Sequence, residues 1–164
     1  MSGKRIVVRR ARDTQASPSA IFALLRDSST YPSWSQIRGY RMERSGFAEP
    51  HGVGEIRVFT SWLPIVVREE IVEVVPDRLV AYTLLSGLPM RDYRGETTLE
   101  PLASGGARIV WQSSFRGVAG TGWAMRLFMG WVLATLTMSL ARAAGAAAPA
   151  IPPPLPPTRQ PHGA

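Results

Sequence analysis

The sequence has no cysteine, only two histidines and a single lysine. Without cysteine there is no disulfide framework, no thiolate-held zinc or iron–sulfur cluster, and no thiol nucleophile. His51 and His162 stand far apart, the second in a proline-rich stretch, so no histidine cluster offers itself to a metal. Neither H-E-x-x-H nor G-x-S-x-G occurs. No metal and no cofactor are expected. Acidic side chains are scarce too, twelve against nineteen basic, for a net charge of +7. The excess is arginine in a chain rich in Ala, Pro and Gly, and it is scattered except for Lys4, Arg5, Arg9, Arg10 and Arg12. No RNP motif, zinc finger or basic helix accompanies that cluster, so nucleic acid is not an expected partner. The first residues carry no apolar leader, and the cytoplasm is the expected location. One long apolar run exists, Gly122 to Leu140, broken by Arg126, Thr135, Thr137 and Ser139. A buried or amphipathic helix is a better reading of it than a membrane span.

What remains is 164 residues, 45% of them hydrophobic. That is enough for one domain with a real core. Residues 5–15 read as a strand. Ser17-Pro18 then starts a helix, with serine at the N-cap and proline at the first helical position. Ile21, Phe22, Leu24 and Leu25 form its apolar stripe, and it ends near Asp27. SSTYPSWS is a turn with room for a short second helix, and Tyr31, preceding Pro32, is expected to be extended.

From residue 36 the period changes to two. Runs 37–44, 54–62, 65–75, 79–86, 92–101 and 107–116 read as strands, separated by turn residues such as Leu63-Pro64, Pro76-Asp77 and Ser104-Gly105-Gly106. The short connections predict antiparallel neighbours. A helix over about 121–143 follows, with Trp123, Leu127, Trp131 and Ala134 at helical spacing, as are Phe128, Val132 and Leu136. Residues 144–164 are Ala- and Pro-rich and are expected to be a disordered tail beyond the domain at 1–143. PPPLPP within it could dock in a groove, although an inert tail is the plainer reading.

Strand, helix, six strands and a long C-terminal helix describe an α+β helix-grip fold. A curved seven-stranded antiparallel sheet wraps the last helix and leaves a cavity between them. The residues also carry a resemblance. S-P-x-x-I-F-x-L-L-x-D (Ser17–Asp27), Y-P-x-W-S (Tyr31–Ser35), G-V-G-E-I-R (Gly52–Arg57), V-P-D-R-L-V-A-Y (Val75–Tyr82), the run Ser86–Pro101 and G-A-R-I-V-W (Gly106–Trp111) follow in order. Together they resemble the polyketide cyclase/dehydrase and lipid-transport superfamily (START-like, SRPBCC), in particular its small stand-alone bacterial members. The resemblance implies a ligand pocket. It does not imply one reaction, because members include cyclases, aromatases, lipid carriers and hormone receptors.

Alternation assigns some faces. Ile109, Trp111, Ser113 and Phe115 share one side of the last strand and are expected to face the helix, as are Tyr93, Thr97 and Leu99. In 54–62, alternation separates Ile56, Val58 and Thr60 from Glu55, Arg57, Phe59 and Ser61 without choosing the inner set. In 65–75 both faces are apolar, and Glu69, Glu70 and Glu73 stay unassigned. The candidate lining is Trp34, Phe59, Tyr82, Tyr93, Trp111, Phe115, Phe128 and Trp131, with Arg57 and Arg91 as the polar residues to watch. For each aromatic, plain core packing is the competing reading. An inward arginine would need a carboxylate or an anionic ligand group. His51, in a Pro-His-Gly turn, reads as an exposed loop residue. The expectation is a domain that binds a small hydrophobic ligand: a lipid, an aromatic or a polyketide-like molecule. The alternative is a cyclase- or dehydratase-type enzyme, which would require an inward carboxylate with a shifted pKa or a Tyr–Arg pair. Peripheral contact with an anionic membrane is the lesser expectation.

Overall fold

The computed structural model describes residues 4–118 and 120–147. Seven strands, β1 (Arg5–Thr14), β2 (Ile37–Arg44), β3 (Ile56–Ser61), β4 (Val66–Val75), β5 (Leu79–Ser86), β6 (Met90–Pro101) and β7 (Ala107–Gly117), form one sheet. Its order is β1-β7-β6-β5-β4-β3-β2, and every neighbouring pair is antiparallel. The strands β1 and β2 thus occupy opposite edges. Between them α1 (Pro18–Arg26), a 3-10 turn (Ser28–Thr30) and α2 (Tyr31–Trp34) carry the chain across. Helix α1 starts where its cap predicts: Ser17 Oγ accepts from the Ala20 N–H at 3.3 Å, with Pro18 in the first turn.

The sheet curves because its ladders slip. Register shifts interrupt β2–β3, β4–β5 and β6–β7, and at the last of these Asp92 adopts a left-handed φ of 51°. Each such irregularity bends a strand and increases its twist. The long helix α3 (Gly122–Ala147) lies in the concave face and rests chiefly on β1 and β7. Its contact is therefore lopsided, and space remains between its first half and strands β3 to β5. The inner faces of β6 and β7 are as alternation predicts: Tyr93, Thr97, Leu99, Ile109, Trp111, Ser113 and Phe115 are all buried.

Two expectations need correction. Tyr31 is helical, not extended, with φ −53° and ψ −41°. Its ring is 2% exposed, lies between Trp34 and Phe59, and its hydroxyl donates to the Leu25 carbonyl. Burying that ring outweighs the modest preference imposed by the following proline. Helix α3 runs to Ala147, four residues past its expected end, because Ala144, Ala146 and Ala147 favour helix and Ala144 is fully buried. The remaining tail, including PPPLPP, lies outside the described residues. The helical spacing of Trp123, Leu127 and Trp131 follows the solvent side of α3, where they are 71%, 67% and 48% exposed, and Met129, Leu133, Leu136 and Leu140 take the inner face. The helix is apolar on every side, so spacing alone could not orient it.

Candidate functional site

The choice that periodicity left open in β3 is resolved by pairing. The β3–β4 hairpin is centred on Leu63, which sets Arg57 opposite Glu69 and Phe59 opposite Val67. The inner set is Glu55, Arg57 and Phe59; Arg57 is 1% exposed and Glu55 fully buried. Two buried charges in an apolar interior require partners. Arg57 Nε donates to Glu69 Oε2 at 3.0 Å, and Nη2 lies 2.9 Å from the same oxygen. Its Nη1 reaches Ser28 Oγ and Tyr31 Oη, each at 3.4 Å. Around the guanidinium stand three aromatic rings, those of Tyr82, Phe59 and Tyr31, with centroids 4.6, 5.0 and 5.2 Å away. Behind it, Glu55 accepts from Ser28 Oγ at 3.2 Å and from Tyr40 Oη at 2.9 Å. His51 Nδ1 lies 3.4 Å from Glu55, and Nε2 lies 3.3 Å from Asp27. His51 is thus no free loop residue: it is half-buried at the outer end of a polar chain that reaches Glu69.

Glu69 opens onto a cavity of about 130 Å³ between α3 and strands β3, β4 and β5. The walls are largely apolar, with Phe59, Val67, Leu84, Phe128, Val132 and Leu136 among them, and Gln36, Thr60 and Ser61 add neutral polar groups. Tyr82 and Tyr93 bring phenols to the same space. Trp62 and Trp131 line it while remaining 57% and 48% exposed, so they mark its mouth. Gly95 makes the placement of Tyr82 possible. It pairs with Tyr82 across the ladder, and a Cβ there would lie 2.4 Å from the ring carbon Cζ. Trp111 Nε1 donates to Tyr82 Oη at 2.9 Å, and Tyr93 Oη shares a hydrogen bond with Ser113 Oγ at 2.9 Å.

Burial governs the ionisation of these groups. It pushes the Glu69 carboxyl above the ordinary carboxylate range, with Arg57 pulling the other way. It holds the Tyr82 phenol well above its usual value and raises Tyr93 to about 12. Both phenols are therefore hydroxyl donors at neutral pH. An apolar cavity with one carboxylate and two phenols can hold an apolar body and orient one polar group on it. Among the described residues, no three His, Cys, Asp or Glu side chains converge as a metal site requires.

The structure brings together Phe59, Tyr82, Tyr93, Phe128 and Trp131 of the expected lining, with Arg57 directly behind Glu69. Four other candidates lie elsewhere. Trp111 and Phe115 are core beneath the lining, supporting Tyr82 and stacking on Tyr93. Trp34 packs on Tyr31 and donates to Thr30 Oγ1. Arg91 is exposed, because the irregularity at Asp92 turns it outward ahead of Tyr93. The residue that periodicity missed is Glu69. Centring the hairpin on Leu63 would have placed it opposite Arg57.

Comparison with known proteins fits this architecture. A sequence model described as polyketide cyclase / dehydrase and lipid transport matches residues 5–147. The chain belongs to that family. No curated protein matches the sequence. A START superfamily protein from Mycobacterium smegmatis superposes with a TM-score of 0.73 at 14% identity, covering 85% of this chain and 97% of its own. Norcoclaurine synthase from Thalictrum flavum, in complex with dopamine and hydroxybenzaldehyde, gives 0.74 at 14%, covering 90% and 91%. A Thermobifida fusca protein solved by NMR gives 0.73 at 23%, covering 85% and 93%. At such identities the likeness establishes the helix-grip fold of the START-like superfamily. For a member of this family, α3 is the helix that the sheet grips.

Proposed function

We propose that this family member binds a small, mostly apolar molecule, with an aromatic ring or short acyl chain in the cavity and a hydrogen-bond donor turned toward Glu69. The observation that carries this reading is the single carboxylate opening onto a largely apolar cavity, whose other polar lining is neutral: Gln36, Thr60, Ser61 and the two phenols. A buried carboxylate paired only with arginine is costly to fold, and a ligand donor would repay part of that cost. The size fits: an engineered apolar cavity of about 150 Å³ takes up benzene. The plant enzyme of the same fold is held with dopamine and hydroxybenzaldehyde, both one-ring aromatics bearing hydroxyls. Calorimetric titration with p-cresol and toluene tests the reading. The cresol should bind about tenfold tighter, the worth of one hydrogen bond to a charged group. Leu84→Trp, which fills the cavity, should abolish both. Equal affinities, or binding that survives Leu84→Trp, would refute it.

A second reading, proton transfer next to a carbonyl, is favoured by the raised pKa of Glu69 beside a phenol donor. Here the Glu69 carboxylate takes a proton from the carbon beside the carbonyl, while the Tyr82 hydroxyl donates to the enolate oxygen. Deuterium wash-in from heavy water into a small aryl ketone reports it. Glu69→Gln should abolish the exchange, and Tyr82→Phe should slow it by about a hundredfold.

A further inference from the structure

Outside the cavity, one groove gathers three arginines that form no ion pair among the described residues, while others without one, such as Arg38, Arg78 and Arg91, stand apart on the sheet and its turns. Arg26, Arg44, Arg57, Arg68, Arg94 and Arg108 each have a carboxylate partner. Arg9, Arg10 and Arg126 form no ion pair among the described residues, and all three line a groove of about 640 Å³ between β1 and α3. Arg10 reaches across the helix at Gly130, where a Cβ would lie 2.8 Å from its Nη2. The same groove contains Val7, Trp123 and Leu127, which are 53%, 71% and 67% exposed. One turn further along α3, Trp131 continues the apolar stripe to the mouth of the cavity.

We propose that this face docks on an anionic phospholipid bilayer. Tryptophan and leucine beside arginine is the chemistry of a bilayer interface: the apolar side chains enter the acyl boundary and the guanidinium groups pair with phosphates. A second copy of the chain fits worse. Two-fold pairing on this stripe would bring both sets of arginines together without a carboxylate between them. Docking does not depend on what the cavity holds, although Trp131 would orient the mouth toward the lipid.

The test is co-sedimentation of the full chain with phosphatidylcholine vesicles, with and without a third of phosphatidylglycerol. Anionic vesicles should bind at least about tenfold better, with the advantage falling as salt rises. Arg9→Gln with Arg126→Gln should remove about tenfold or more of the anionic binding and leave neutral vesicles unaffected, at roughly fivefold per charge. Trp123→Ser with Leu127→Ser should weaken both, with p-cresol binding and melting temperature unchanged. Should that pair disturb the fold, Trp123→Ser alone carries the test. Four results would each overturn the proposal: no binding, equal binding to neutral vesicles, insensitivity to salt, or a change in oligomer mass rather than vesicle binding in the serine variants.

Discussion

The two faces of the sheet carry the same chemical pairs in opposite circumstances. On the outer face, Arg108 meets Asp13, Arg68 meets Glu43, Arg44 meets Glu70, and Arg94 meets Glu73 and Glu96. There the arginine prevails: hydrogen bonding to Arg108 holds Asp13 below its ordinary value, and Arg68 does the same for Glu43. On the inner face Glu69 has an equally close partner, Arg57 at 2.9 Å, yet its pKa moves up. Pairing is common to both faces; what differs is water. Exposed pairs are solvated whether or not they meet and contribute little to stability. The inner pair gives up its hydration, which the ion pair only partly replaces. Its place on an apolar cavity is therefore not explained by a gain in stability.

The largest effect should come from breaking the inner pair on one side. Arg57→Ala strands Glu69 and should cost about 3–5 kcal/mol in urea unfolding. Arg57→Met with Glu69→Leu should recover most of that loss, and a double-mutant cycle measures the coupling. If the single variant were as stable as the parent, the inner face would behave like the outer one. Next in size is Gly95→Val, which drives side-chain atoms into the Tyr82 ring. It should cost about 1–3 kcal/mol in thermal unfolding and weaken p-cresol binding through the displaced phenol.

The pH dependence sharpens the contrast through its sign. The folded pKa of Glu69 lies above the ordinary glutamate value of 4.5, so folding favours the protonated form. Its contribution to stability is greatest below 4.5 and declines as pH rises through the folded value. For Asp13 and Glu43 the sign reverses: their contributions are present above 3.8 and 4.5 and vanish as pH falls through the lowered values. Glu69→Gln keeps an acceptor for Arg57 and should flatten only the decline on the rising side, as read from unfolding curves at several pH values. The smallest effect belongs to the exposed pairs. Arg108→Gln should leave the melting temperature essentially unchanged.

Much of the fold was legible in the sequence because it rests on local signals. Ser17-Pro18 marked a helix start, turn residues bounded the strands, and alternation oriented β6 and β7, where large residues line one side only. The site was less legible for three physical reasons. In β3, both residue sets are mixed, and only the pairing with β4 buries Arg57. Register shifts, as at Asp92, turn Arg91 outward and leave no trace in composition. Helix α3 is apolar all round, so the spacing of its apolar residues did not reveal that Trp123 and Leu127 lie on its outer side. Tyr31 shows tertiary packing overriding a local preference, and its burial in turn provides part of the cage around Arg57.

The most direct test is a carbon-13 NMR titration of the side-chain carboxyls, following Glu69 and Glu43 in one sample. With its water removed, Glu69 should titrate above 4.5, and Glu43 below it. A Glu69 midpoint at or below that of Glu43 would contradict the account, because it would show the inner carboxylate to be one more salt-bridged side chain.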